Sequence, residues 1–497
     1  MRLSRNFRSG TPADLRYHDP TVTQSAAVPS PPHDPCPSPA LPDENGAPGE
    51  HAAVYEMNGT GSRGDGIDDL EDLPRLFFFG LQHVLVMYAG TVAVPLILGA
   101  ALHLTPVQVI ALISADLFTS GLATLLQTVG WWKFGARLPL IQGCSFICVP
   151  PMILIGNRYG LPTVYGSIIC CGLFLVLAGP LFSRMLRFFP PVVIGCVITV
   201  IGLTLLPIAG NWLGGGDPTA PEFGGLRPLG LGFATVAIVL LIQRFARGIF
   251  ANLSVLLGLI AGTLLAWLTG QASFTQVGVT PWFAFAHPLL FGRPHFALLP
   301  SLILCFAMLV VMTETTGNCL AIGEIAGRHI APATLTAAFR ADGLSTILGG
   351  LFNSFPYNAY SQNTGLLSLS RVKSRYAVAA AGAILVTLGL LPKVAAVIAG
   401  IPRPVLGGAS LVMFGMTAAA GIEELARVRY RGSSNGLIVA LSLGMGVLPI
   451  AAPQLFARAP AAAQLFLNSG IFLAAFTAVL LNVVFNSKPV PPEQKTA

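Results

Sequence analysis

Charged side chains are scarce in this chain. Asp, Glu, Lys and Arg make up 10% of its 497 residues, whereas a soluble domain carries roughly 25%. Hydrophobic residues make up 54%, and the mean hydropathy is +0.72. This composition excludes an ordinary soluble protein and predicts an all-α polytopic membrane protein. The net charge of +7 does not indicate a nucleic-acid partner, because the basic residues lie mostly at the ends of apolar runs, where they orient a membrane protein.

Residues 1–75 lack the apolar core that a cleavable signal peptide needs. They are rich in Pro, Asp, Ser and Gly, as in PSPPHDPCPSPALPDENG, and such a composition cannot bury enough surface to fold. We therefore expect a disordered N-terminal tail over residues 1–75, of which residues 1–70 are expected to be dispensable for function. Residues 486–497 are interpreted as a short C-terminal tail.

Metal-binding motifs are also missing. All of the eight cysteines except Cys36 lie in apolar runs, and Cys144 and Cys148 have no histidine nearby. We interpret these cysteines as small buried hydrophobic residues. The sequence predicts no metal site and no organic cofactor.

The chain does contain many long apolar segments, and a bilayer-spanning helix needs about 20 such residues. They predict a transporter domain over residues 76–485. We mark fourteen segments, at about 76–99, 105–130, 139–156, 163–182, 190–210, 228–246, 251–269, 300–321, 334–353, 358–371, 376–400, 403–421, 433–451 and 464–485.

The third and tenth segments are interrupted. The third contains Gly143, Pro150 and Pro151, and the tenth reads YNAYSQNTGLLSLS. Irregular backbone at membrane depth is tolerated only where protein or a cavity covers it. Since the two segments occupy equivalent places in two sets of seven, they predict a transporter binding site between two repeats. An odd number of spans in each repeat also predicts that the repeats are inverted.

The basic residues predict the orientation of these segments. With both termini in the cytoplasm, the predicted inner loops hold more than twice as many Lys and Arg residues as the outer loops. This bias is the one expected for cytoplasmic loops.

Glu314 lies inside the apolar run of the eighth segment. A carboxylate at this depth costs several kcal/mol, so an acidic residue in a membrane span indicates a functional site. Apolar surroundings favour the protonated form of a carboxyl group, and we expect Glu314 to exchange a proton near neutral pH. Asn318 follows four residues later and shares a helix face with Glu314. The alternative is a structural acid paired with a polar neighbour.

Gln362 and Asn363 lie in the tenth segment. A primary amide offers both donors and an acceptor, which suits a heterocycle edge where C=O and N–H alternate. Asn363 either contacts a substrate or hydrogen-bonds the unwound backbone. Gly365 allows close approach of the backbone or an unusual dihedral angle.

The segment QNTGLLSLSR resembles the signature of the nucleobase–ascorbate transporter family, in which Gln, Glu or Pro is followed by Asn, any residue, Gly, four residues, Thr and a basic residue or Gly. Ser370 stands at the position of the usual Thr and keeps the hydroxyl group. Further similarity lies in LQHVLVMYAG, QGCSF, ETTGN and ADG, and the resemblance covers roughly residues 70–485.

This resemblance implies fourteen spans in two inverted repeats, with short strands in segments 3 and 10. It implies a core domain of segments 1–4 and 8–11, at about 76–182 and 300–400. The gate domain then comprises segments 5–7 and 12–14, at about 190–269 and 403–485.

The resemblance also implies the roles of particular residues. Glu314 and Gln362 would bind a base through their side chains, and Gln at position 362 indicates an oxidised purine. The other implied site residues are Ser145, Phe146 and Ser361, which contribute backbone groups or packing; Asn363, which supports the site; and His83 and Asp342, which serve coupling or site geometry.

Two polar residues leave the coupling mechanism open. Many bacterial members of the family have Asp or His at the position of Asn318, and Asn cannot exchange a proton. The coupling would then fall on Glu314, with Asp342 as a second candidate. His83 is either a hydrogen-bonding strut or a proton relay, because an unperturbed histidine titrates near neutral pH.

We therefore expect a proton-coupled transporter that imports a purine base, xanthine or urate, by alternating access. It would act as a homodimer in a bacterial inner membrane, with both termini in the cytoplasm. A permease for uracil or another pyrimidine is the first alternative. An anion transporter would need an electropositive site, which Glu314 disfavours. A membrane enzyme would need a cluster of catalytic residues at a membrane face, and a channel would not need a buried acid beside an interrupted segment.

Overall fold

A computed structural model describes residues 66–185, 190–370 and 372–486. They form helices and two three-residue strands. The predicted tail over residues 1–65 and the residues after Asn486 lie outside the described ranges.

The elements of the first half of the chain are α1 (Leu73–Ala101), α2 (Pro106–Val129), β1 (Gln142–Cys144), α3 (Val149–Tyr159), α4 (Leu161–Met185), α5 (Pro191–Leu213), α6 (Leu226–Phe245), α7 (Ile249–Asn252) and α8 (Ser254–Leu268). After the short α9 (Thr275–Val279), the second half contains α10 (Leu298–Ala326), α11 (Pro332–Leu351), β2 (Tyr357–Ala359), α12 (Ser361–Ser370), α13 (Arg375–Gly389), α14 (Pro392–Ala399), α15 (Arg403–Ala426), α16 (Asn435–Ala451), α17 (Ala461–Leu467) and α18 (Gly470–Asn486).

Seven of the described helices are long and apolar enough to cross a membrane, or eight if α13 and α14 count as one bent span. The helices α8, α16 and α18 are apolar but shorter. The fold is therefore all-α with several membrane spans and two short strands. The number fourteen stays a prediction.

The third and tenth predicted segments both consist of a strand followed by a helix. β1 leads through a single 3-10 turn, Phe146–Cys148, into α3, and β2 leads into α12. The strands pair antiparallel, with Gly143 opposite Asn358. The two interrupted segments therefore meet at their strands and run in opposite directions, as inverted halves require.

Two further interruptions differ from the prediction of continuous spans. The eleventh segment bends by 81° between α13 and α14. Pro392 begins α14, and the residue before a proline is disfavoured in the helical region; Leu391 has φ −112° and ψ 82°. The last segment breaks at Asn468 and Ser469, where the Ser469 hydroxyl accepts from the N–H of Phe472 and starts a new helix.

Glycines allow the spans of the two halves to pack closely. α2 packs on α13, and α4 packs on α11. A Cβ atom on Gly121 would lie 2.6 Å from the Gly382 oxygen, and one on Gly172 would lie 2.7 Å from the Gly343 oxygen. Small residues permit such approach of helices in membranes. The pairs match each other, because α2 and α4 of the first half correspond to α11 and α13 of the second.

The remaining long helices form their own set of contacts. α5 packs on α15, α16 and α18, and α6 packs on α8 and α15. α13 packs on α1 and α2, α2 also packs on α11, and the strand pair contacts α1, α2, α10 and α11. The core and gate boundaries themselves stay a prediction.

The chain before α1 is docked on the protein, which differs from the predicted tail boundary at residue 75. α1 already begins at Leu73, and Ile67 is fully buried. The Asp68 carboxylate lies 2.6 Å from Arg375 Nε and 3.3 Å from Arg328 Nη2. The backbone N–H of Arg375 donates to the Ile67 oxygen at 2.9 Å. The expectation that residues 66–70 are dispensable is therefore unsupported.

Candidate functional site

The paired strands form the floor of the candidate site. Beyond the register itself, the N–H of Ser145 donates to the Pro356 oxygen at 2.8 Å, and the N–H of Tyr360 donates to the Ile141 oxygen at 3.1 Å. The helices that follow both strands begin at this point. Helix N-termini carry partial positive charge, so the ends of both interrupted segments favour electronegative groups of a ligand here.

Glu314 lies on α10 beside the strand pair and is half-buried. Its Oε2 accepts a 2.6 Å hydrogen bond from Nδ2 of Asn358 in β2. Among the described residues, its Oε1 has no hydrogen-bond partner. One carboxylate oxygen is thus held by the protein, while the other can accept from a ligand.

Gln362 and Ser361 lie at the start of α12, and both are exposed. No side chain of the described residues hydrogen-bonds the Gln362 amide. Gly317, one helical turn after Glu314 on α10, is exposed too. The polar start of α12 and this part of α10 therefore face open space rather than the packed interior.

Phe146 and Ser145 follow β1. The Phe146 ring is half-buried and lies edge-on to Phe414 of α15, with centroids 5.9 Å apart. Ser145 is fully buried, and its hydroxyl has no partner in the described part of the chain. Phe146 can pack against a planar ligand, whereas the backbone N–H of Ser145 is used in the contact with Pro356.

Asn318 holds the second interrupted segment. Its Nδ2 donates to the Ala359 oxygen at 2.9 Å, and its Oδ1 accepts from the Thr364 hydroxyl at 3.3 Å. It shares the helix of Glu314 as predicted, but both ends of its amide are already used. Asn318 thereby fixes the junction of β2 with α12.

Asn363 and His83 are joined to each other. Asn363 Nδ2 lies 3.1 Å from His83 Nδ1 and donates to the His83 backbone oxygen at 2.9 Å. Both side chains are buried. This contact ties α12 to α1, and it favours the structural interpretation of Asn363 and the strut interpretation of His83.

Asp342 is fully buried behind the Glu314 helix. Its Oδ2 accepts from the Thr315 hydroxyl at 2.7 Å, and its Oδ1 accepts from Gln127 Nε2 at 2.9 Å. Asp342 therefore connects α10, α11 and α2. Its partner on α10, Thr315, is the residue directly after Glu314.

A cavity of about 620 Å³ lies elsewhere, between α1, α8 and α14. Apolar side chains line it, among them Leu85, Val92, Leu259 and Trp267. It offers no carboxylate or amide side chain to orient a polar ring. The strand junction, not this cavity, has the chemistry for a small polar solute.

Several residues of the site were not predicted. Asn358 precedes the signature segment, and no spacing distinguishes it. Tyr360 packs over Gly143 and Gly90, and its hydroxyl donates to the Cys144 oxygen at 2.9 Å. Asp116 was overlooked although it lies within an apolar run, which is the same signal that identifies Glu314.

Oppositely directed interrupted segments meeting beside a buried acid, in an all-α membrane fold, define the class of secondary transporters. Residues 74–455 match the model described as Permease family, that of the nucleobase–ascorbate transporters. The chain belongs to this family. It is a transporter and not an enzyme.

Individual relatives agree with this assignment. The chain is 43% identical to a xanthine permease of Bacillus subtilis over 82% of this chain and 93% of that protein. It is also 43% identical to the uric acid transporter UacT of Escherichia coli, over 85% and 88%. The transmembrane domain of the cyanobacterial bicarbonate transporter BicA has a similar fold, with a TM-score of 0.55 at 15% identity over 82% of this chain and 96% of that one.

Proposed function

We propose that the protein imports an oxidised purine base, xanthine or urate, together with protons. The observation that carries this proposal is the Glu314 carboxylate, with one oxygen held by Asn358 and the other available, at the junction of two interrupted segments. The relatives named for xanthine and uric acid, at 43% identity over most of both chains, support the same substrate class.

The proposed contacts follow from the chemistry of the ring. Xanthine and urate present alternating N–H and C=O groups along their edges. The available oxygen of Glu314 accepts from a ring N–H, while the Gln362 amide donates to a carbonyl and accepts from a second N–H. Phe146 packs on the ring face. Backbone groups near Ser145 and Ser361 complete the contacts at the helix N-termini.

Proton coupling is assigned to Glu314. It is the acidic residue that both faces the open space and contacts the strand pair. Asn318 cannot carry a proton, and Asp342 is fully buried behind it. Asp342, His83 and Asn363 then serve site geometry, as their hydrogen bonds support.

Alternating access would move one group of helices against the other. We assign α1–α4 and α10–α14 to the core, and α5–α8 and α15–α18 to the gate. The exposure of Gln362 and Gly317, together with the packed Phe146–Phe414 pair, supports a site open on one side only. We further propose a homodimer in a bacterial inner membrane with cytoplasmic termini.

A competition uptake panel tests the function. Cells or proteoliposomes containing the protein take up labelled xanthine while unlabelled urate, guanine, hypoxanthine, uracil or bicarbonate competes. We expect xanthine and urate to compete best, and an inward proton gradient to drive accumulation. Preferential competition by uracil would favour the pyrimidine alternative, and bicarbonate competition would favour an anion transporter.

A further inference from the structure

A second buried acid lies on the opposite side of the strand pair from Glu314. Asp116, in the middle of α2, is 1% exposed. Its Oδ1 accepts from the Tyr357 hydroxyl at 2.9 Å and from the Ser354 hydroxyl at 3.0 Å. Its Oδ2 is buried without a hydrogen-bond partner in the described part of the chain. Neither the family motifs nor the proposed transport mechanism uses this residue.

Asp116 has a counterpart in the other half of the protein. It follows Ala115 in SADLFTSGLATLL on α2, and Asp342 follows Ala341 in RADGLSTILGGLF on α11. α2 and α11 are the second helices of their halves. The two acids therefore occupy matching positions of the repeat.

Asp116 holds the other half's interrupted segment directly, whereas Asp342 reaches the connection before β1 through Gln127. Asp116 of the first half binds Ser354 and Tyr357, which lead into α12. Asp342 of the second half binds Gln127, whose Oε1 accepts from the N–H of Ala136 at 2.8 Å, in the connection that leads to β1. Because Asp116 and Asp342 occupy matching positions and make similar contacts, we interpret both as residues that position these segments.

The strand transmits this position to the candidate site. Successive side chains of a strand point to opposite faces. Tyr357 points to Asp116, and the next residue, Asn358, points to Glu314 and donates to it at 2.6 Å. β2 is thus hydrogen-bonded on both faces. A shift of Tyr357 therefore displaces the Asn358 amide, which orients the Glu314 carboxylate.

Among the described residues, no cation faces Asp116. The ionisable groups that face it are the hydroxyls of Tyr357 and Tyr360 and the thiol of Cys144 from β1. None of them is a cation, and an unpaired charge is costly to bury. A carboxyl group with a proton on Oδ2 avoids that cost and still accepts both hydroxyl bonds at Oδ1.

We propose that Asp116 is a positioning residue that fixes β2 through the Tyr357 and Ser354 hydroxyls and thereby orients Glu314 for the substrate. This inference rests on the proposed function for its effect on uptake, but the fixing of β2 does not depend on the substrate.

The experiment compares native protein with Asp116→Asn, Asp116→Ala and Tyr357→Phe. Hydrogen–deuterium exchange of the purified, ligand-free proteins follows peptides covering residues 353–366, with α6 (Leu226–Phe245) as the internal control. Xanthine uptake at equal surface expression gives KM and Vmax across pH 5–8.

We expect Asp116→Ala and Tyr357→Phe to speed exchange in residues 353–366 but not in α6. They should raise KM about tenfold, as loss of a buried hydrogen bond does, while Vmax changes less. Asp116→Asn imitates the neutral acid and should restore native exchange, a KM within about threefold and the native pH profile.

Unchanged exchange and KM in both Asp116→Ala and Tyr357→Phe would overturn the positioning role. If Asp116→Ala fails to reach the membrane, Tyr357→Phe alone decides whether Asp116 has the positioning role.

Loss of concentrative uptake in Asp116→Asn would overturn the neutral form and make Asp116 a coupling acid. Absence of purine uptake by native protein would contradict the proposed function, while the exchange measurement would still decide whether Asp116 fixes β2.

Discussion

At the residue scale, the proposed substrate recognition depends on the pair formed by Glu314 and Asn358. The 2.6 Å bond from the Asn358 amide orients the carboxylate and leaves one oxygen for a ligand. The Glu314 carboxylate has two proposed roles: it accepts hydrogen bonds from ring N–H groups, and it carries the proton. A glutamine of the same shape lacks the second property.

Glu314→Gln should therefore reach the membrane at native levels and lose proton-driven accumulation. Uptake of labelled xanthine with and without a proton gradient measures this. Glu324→Gln is the matched control, because Glu324 is on the same helix but exposed. Concentrative uptake by Glu314→Gln equal to that of the control would refute the coupling role.

At the same scale, we propose that Gln362 sets the selectivity for the substrate. Its amide provides donors and an acceptor, whereas an ionised Glu provides acceptors only. Gln362→Glu should weaken xanthine binding by about 1–3 kcal/mol, the cost of an unpaired polar group once the substrate covers it. Gln454→Glu, at an exposed position, is the control. Competition binding at one pH is the measurement, and native affinity in Gln362→Glu would remove this residue from the site.

At the element scale, the packing of the strand pair depends on close approach of side chain and backbone. A Cβ atom on Gly143 would lie 2.5 Å from Tyr360 Cζ, whereas one on Gly436 would meet nothing within 4 Å. Adding this methyl group to β1 must displace the Tyr360 ring and break its bond to the Cys144 oxygen.

Gly143→Ala should consequently lose most xanthine uptake and melt at a lower temperature, with overpacking costing about 1–3 kcal/mol. Gly436→Ala should behave as native protein. Thermal unfolding in detergent and uptake at matched expression check both variants. Native uptake in Gly143→Ala would show that the Tyr360 ring can move without consequence.

A second prediction at this scale concerns the contribution of residues 66–72, before α1, to stability. Removing residues 1–65 should leave the melting temperature unchanged, whereas removing residues 1–72 should lower it. Burial of Ile67 supplies most of this difference, about 2 kcal/mol, because the Asp68 carboxylate is partly exposed and its ion pairs contribute about 1 kcal/mol or less. Ile67→Ala should therefore destabilise more than Asp68→Asn. Equal melting temperatures for both truncations would contradict this docking.

The sequence predicted the elements better than the contacts. Gly143, Pro150 and Pro151 mark the third segment as interrupted, and the signature marks the tenth. The bend before Pro392 was missed because the apolar run continues through it. Asn358 could not be predicted, because its function arises only when β2 pairs with β1 and faces α10. Asp116 could have been found by the criterion used for Glu314, since both are acids inside apolar runs.

At the scale of the whole molecule, the two halves are joined by matching interactions. Antiparallel strands, glycine contacts between α2 and α13 and between α4 and α11, and two acids in matching positions all connect one half to the other. The candidate site lies where these connections meet. In the proposed function, a substrate bound there contacts both interrupted segments, and movement of the surrounding helices opens the site to either side in turn.

A structure of the protein with bound xanthine tests the central claim most directly. We predict the purine ring at the strand junction, with hydrogen bonds of about 3 Å to the Glu314 carboxylate and the Gln362 amide and with Phe146 against its face. A ring bound in the apolar cavity between α1 and α8, or at the Arg427–Arg431 loop, would contradict the account.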